Sequence, residues 1–101
     1  MKYNKLVRDK IPEIIKKNGK FSIIHTASEE EYWKKLKEKL EEEIKEFLEE
    51  ENEEELADVM EVIHAICDVK NFSMKEIETM RLKKAEERGR FKKKIILDET
   101  E

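Results

Sequence analysis

Only two glycines and one proline interrupt 101 residues, and that scarcity limits what this chain can fold into. Turns and tight β-connections draw on glycine and proline, so a chain nearly without them is restricted to few, long elements. The few breaks agree with helix ends. Pro12 suits the first turn of a helix and Asn18-Gly19 its stop, which predicts a short helix over about 11–18. Ser28 with Glu31, Asn52 with Glu55 and Ser73 with Glu76 each have the spacing of a capping box. They open helices running to about residue 50, about Asn71 and Gly89. "KFSIIHTA" (20–27) has no helical spacing and reads as extended. "KIIL" (94–97) offers itself as its partner in a two-stranded annex. With no internal repeat and no linker, the expectation is one all-α domain over 1–101: an antiparallel bundle of about four helices with that small annex.

Composition narrows the class. Charged residues make up 48% and hydrophobic residues 38%, and mean hydropathy is -0.88. Such values suit a disordered chain, but here the apolar residues keep a helical period. So small a domain is near the lower limit for a self-sufficient core. Two-faced apolar helices then point to self-association, as a homodimer or a dimer of dimers. A net charge of -4 argues against nucleic acid as partner. No apolar run approaches the ~18 residues of a membrane span, and the charged start lacks the form of a signal peptide. A single cysteine, Cys67, excludes an internal disulfide and fits a reducing cytoplasm. Abundant Lys and Glu with no Gln hint at a heat-adapted source.

Acids crowd the stretch "KLEEEIKEFLEEENEEELADVMEVI", Lys39 to Ile63. Spacing alone decides little there, because pairs of acids three apart arise by chance. Facing decides more. With Leu36 at zero on a helical wheel, the apolar residues of the second helix span an arc from about -40° (Tyr32) to about 120° (Leu48). Glu38, Glu41, Glu42 and Glu49 fall outside it. Glu43 falls inside, at about -20°, and Glu46 at the edge, near -80°. On the third helix, Leu56, Val59, Met60, Ile63, Ile66 and Cys67 form a main apolar face. Val62, Ala65 and Val69 form a second patch, and Glu55 and Asp58 share it. Two helices joined by a short turn pack antiparallel, so Glu43, Glu46, Glu55 and Asp58 would meet in one partly dry cleft. A lone buried carboxylate costs several kcal/mol. Converging carboxylates from facing helices suit a hard divalent ion. The bland readings stay open: Glu55 as a capping partner only, Glu43 as a polar residue in an oligomer seam.

The same acids carry a resemblance. "EEIKE" (Glu42–Glu46) followed by "ELAD" (Glu55–Asp58) resembles the ExxE…ExxD pattern of the all-α nucleotide pyrophosphohydrolases. That superfamily holds the MazG-like enzymes, the dimeric dUTPases and phosphoribosyl-ATP pyrophosphohydrolase. The opening "YNKLVRDKIPEII" and the later "KKAEERGRF" are similar to a small stand-alone subgroup of it. The resemblance implies a Mg²⁺-dependent hydrolysis, with Mn²⁺ as the alternative ion. It would split a nucleoside triphosphate between its α- and β-phosphates. Glu43, Glu46, Glu55 and Asp58 would be ligands, and Glu42 would orient the attacking water beside Glu43. Arg8, Lys84 and Arg88, in the family-like segments, would meet the phosphates; Lys5, Lys10 and Arg90 are further basic candidates. The chain departs from the MazG-like pattern at His64 and Ala65, and from the histidine-pathway enzyme at Val62. That histidine-biosynthesis activity is one alternative; a non-enzymatic acidic interaction module is the other. His25, His64 and Cys67 read as structural, and Glu61 as facing solvent.

Overall fold

The computed structural model describes residues 2–101, and among them every regular element is helical. The helices are α1 (Ile11–Lys17), α2 (Glu29–Glu50), α3 (Glu53–Lys70) and α4 (Met74–Arg88). The chain divides into two compact units, one ending at Lys70 and the other covering Asn71–Glu101. No described helix is long and apolar enough to cross a membrane.

Helix boundaries follow local chemistry. Pro12 lies in the first turn of α1, and Gly19 takes the left-handed φ of +75° that ends it. Ser28 caps α2, its Oγ accepting the Glu31 N–H at 3.2 Å. Asn52 caps α3, its Oδ1 accepting the Glu55 N–H at 2.9 Å. Ser73 caps α4 through the Glu76 N–H at 3.2 Å. Each cap satisfies a backbone donor that would otherwise lack a helical partner. Glu51, at φ 49°, turns the chain out of α2 and donates its N–H to Phe47 at 2.7 Å. Only Glu51 and Asn52 separate α2 from α3, so these two form an antiparallel hairpin, and they pack on each other.

The hairpin supplies the first unit's core. Leu36 on α2 is 1% exposed, with Val62 and Cys67 buried on α3. Tyr32, Trp33, Leu40, Phe47, Val59, Ala65, Ile66 and Val69 are half-buried. On α3 the patch of Val62, Ala65 and Val69, on which the wheel placed Glu55 and Asp58, is covered. The main face is split: Val59, Ile66 and Cys67 are covered, whereas Leu56, Met60 and Ile63 are exposed, as are Ile44 and Leu48 of α2. A helix apolar over most of its circumference can bury only one side against one neighbour.

The annex is a second correction. Neither Phe21–Ile24 nor Lys94–Leu97 is a strand, and their apolar side chains lie largely in solvent. A single pair of short strands with no sheet face to bury is marginal in water. In the second unit, α4 buries no residue. Arg81 grips Glu78 one turn away, and that bond holds the Glu78 carboxyl below its ordinary value.

Candidate metal centre

Glu43 stands near the middle of the inward arc of α2 and is 7% exposed. Its Oε1 accepts an ion pair from Lys39 one turn earlier, at 3.1 Å. Its Oε2 is shut off from solvent and has no hydrogen-bond partner. An orphaned buried carboxylate oxygen is a large cost.

Across the cleft, α3 presents Glu55 and Asp58 from its first turns, both half-buried. One oxygen from each of Glu43, Glu55 and Asp58 lies within 4.8 Å of the others. The Asn52 cap takes only the backbone N–H of Glu55, while the Glu55 Oε2 is buried without a partner. The capping role and the inward carboxylate therefore coexist.

Crowding and dryness show in proton affinity. Loss of water raises the Glu55 carboxyl above its ordinary value, and Asp58, Glu43, Glu54 and Glu50 add to the rise. Glu46 is raised as well, first by the charge of Glu43, then by loss of water, a side-chain hydrogen bond with Glu43, and the charges of Glu55 and Glu42.

These donors fit a hard divalent ion. All are carboxylate oxygens from two facing helices, the set that Mg²⁺ or Mn²⁺ selects over zinc or copper. Their oxygens already lie within 4.8 Å of one another, and a shared ion would draw them closer. Such an ion would also supply the partner that the two orphaned oxygens lack.

The other sequence-derived residues fall as follows. Glu46 borders the three acids without joining that group. Glu42 is half-buried, and its Oε1 is taken by Lys39 at 3.5 Å and Lys5 at 3.4 Å. Arg8 reaches Asp58 itself, Nη2 to Oδ1 at 2.8 Å. Lys84 and Arg88 lie one turn apart on α4, exposed, in the second unit. Glu61, His64 and Asp68 are exposed, and His25 pairs with Glu31 at 2.9 Å. Lys39 is the residue that sequence reasoning missed. On the wheel it falls at about -60°, at the edge of the apolar arc and between Glu43 and Glu46, so a search for cations at that edge would have found it. An open depression along Ser28, Trp33, Lys34 and Lys37 lies near the start of α2, about two and a half turns from Glu43.

No protein-family model and no solved structure matches the chain. A 36-residue stretch is 50% identical to part of an uncharacterized protein from Mycolicibacterium smegmatis, covering 36% of this chain and 37% of that protein. The matched stretch thus spans little more than a third of that relative's length.

Proposed function

We propose that the chain is a Mg²⁺-dependent nucleotide pyrophosphohydrolase that cleaves a nucleoside triphosphate to a monophosphate and pyrophosphate. One observation carries this reading. A nine-tenths-buried glutamate with an orphaned oxygen faces two further carboxylates, in the register of an ExxE…ExxD motif. Glu43, Glu55 and Asp58 would hold the ion, with Glu46 at its margin; Mn²⁺ is the natural substitute. Bound there, the ion would neutralise phosphate charge and lower the pKa of a coordinated water. Lys39 holds Glu43 in place by pairing with its Oε1 and leaves Oε2 free of a partner. Glu42, tethered by Lys39 and Lys5, would orient a water toward the α-phosphorus. That water's oxygen would bond to the α-phosphorus as the bond to the bridging oxygen breaks, its proton passing to solvent and the bridging oxygen leaving with pyrophosphate. Arg8 would meet phosphate oxygens, for which a guanidinium offers paired donors.

The exposed apolar residues of the hairpin, Leu56, Met60, Ile63, Ile44 and Leu48, support self-association as a homodimer or a pair of dimers. They would equally serve the rival reading, an acidic interaction module without catalysis. A panel of nucleoside triphosphates separates the two readings. Mg²⁺-dependent release of pyrophosphate, lost in Glu43→Gln, is the expected result. Release of orthophosphate alone, or turnover that survives Glu43→Gln, would refute the proposal.

A further inference from the structure

The short segment ahead of α1 lies against the acid site in an unusual way. Asn4 adopts a left-handed φ of 45°, a conformation asparagine tolerates better than most residues. Its carbonyl accepts the Lys35 ammonium at 2.8 Å. One residue on, Lys5 pairs with Glu42 at 3.4 Å. Lys35 and Glu42 are seven residues apart and share one edge of α2, at about -100° and -120° on the wheel. The segment therefore follows that edge before crossing to α3, where Arg8 pairs with Asp58 at 2.8 Å. No backbone–backbone hydrogen bond joins residues 4–7 to the hairpin among the described residues, and each of these contacts runs through a long basic side chain. Arg8 remains 58% exposed and Asp58 35%, while Leu6 is half-buried, so the clasp closes over the rim of the site and its release uncovers one apolar side chain.

We propose that residues 4–8 are a strap displaced by the divalent cation, with Arg8 standing in for the ion on Asp58 in the cation-free protein. The inference rests on the metal site proposed above and adds its regulation. A carboxylate shared between a guanidinium and a dication sets two like charges within a few ångströms of each other, which is unfavourable. Entry of the ion therefore loosens Arg8, and the chain closes its own site when no ion is present. The strap neutralises one of the three carboxylates: Arg8 serves Asp58 as Lys39 of α2 serves Glu43, which leaves Glu55 as the one of the three without a cation among the described residues. A screened ion pair of this exposure has modest strength, as a releasable clasp requires.

Titration calorimetry of Mn²⁺ into the full chain tests this, using wild type, Arg8→Gln and the control Lys2→Gln. Removing the competitor should tighten Mn²⁺ binding about two- to fivefold in Arg8→Gln and leave Lys2→Gln like wild type. Trypsin cleavage after Lys5 and Arg8 in the wild type, followed by mass spectrometry, should quicken when Mn²⁺ is saturating. If wild type binds no Mn²⁺, the metal site itself falls and the strap with it. If Mn²⁺ binds but Arg8→Gln binds it equally or more weakly, Arg8 is no competitor and the strap alone is overturned. Cleavage that ignores Mn²⁺ overturns it as well.

Discussion

Glu43→Gln should raise the stability of the cation-free protein and abolish its response to Mg²⁺. The substitution keeps shape and removes one charge from a site where Glu43 is 7% exposed. Two neighbouring carboxylates approach within 4.8 Å; at an effective dielectric constant of 20, each such pair repels by about 3.5 kcal/mol. Against this stands the Lys39 pair at 3.1 Å, worth about 5 kcal/mol on the same scale. The difference leaves the variant more stable by about 2 kcal/mol, which should appear as a rise of several degrees in Tm. Wild type should overtake it once Mg²⁺ is present, gaining about 2.7 kcal/mol at a hundred times its dissociation constant. Thermal melts followed by circular dichroism, with EDTA and with Mg²⁺, should therefore show the two proteins exchanging order. Glu41→Gln removes the same charge from an exposed position two residues away and should move neither melt by more than about 0.5 kcal/mol. If Glu43→Gln and Glu41→Gln behave alike, the charges do not converge and the site reasoning is wrong.

Three further outcomes follow from the geometry. Glu46 and Glu55 hold protons more tightly folded than unfolded, so cation-free stability should fall as pH rises from 4.5 through their raised values; urea titrations at pH 5 and pH 7 check the sign, and saturating Mg²⁺ should flatten the difference. With Leu56, Met60 and Ile63 exposed, sedimentation at micromolar concentration should report a dimer or larger, and Met60→Glu should shift it toward a folded monomer. Asn52→Ala removes the 2.9 Å cap on α3 and should cost about 1 kcal/mol, read as a lower denaturation midpoint in urea.

Much of the helix layout could be read from local rules. Ser28, Asn52 and Ser73 each cap the helix that their spacing announced, because a cap is settled by three or four neighbouring residues. The inward placement of Glu43 was legible for a related reason: helical phase carries Leu36 and Glu43 to the same side. Phase could not say which side of α3 would turn toward α2. The longer apolar row is split, with Cys67 buried and Leu56, Met60 and Ile63 exposed, a choice made by the fit of two helices. Arg8 was chosen for its segment, and its bond to Asp58, fifty positions away, is long-range and left no local trace. The annex failed for the opposite reason: the β-branched isoleucines at 23, 24, 95 and 96 gave a local signal with no sheet face to receive it.

The two-residue tip of the hairpin has a consequence for how such a chain can vary in length. The phase of each helix is fixed by what it buries, Leu36 on α2 and Val62 on α3, and the acids inherit that phase. An extra residue at Glu51 or Asn52 would lengthen the tip and leave both phases alone. A residue inserted between Leu36 and Glu43, or between Asp58 and Val62, would swing an acid about 100° around its helix and out of the cleft. Heritable insertions in chains built this way should therefore gather at the tip, while the intervals from core residue to acid stay constant even where the residues between them change.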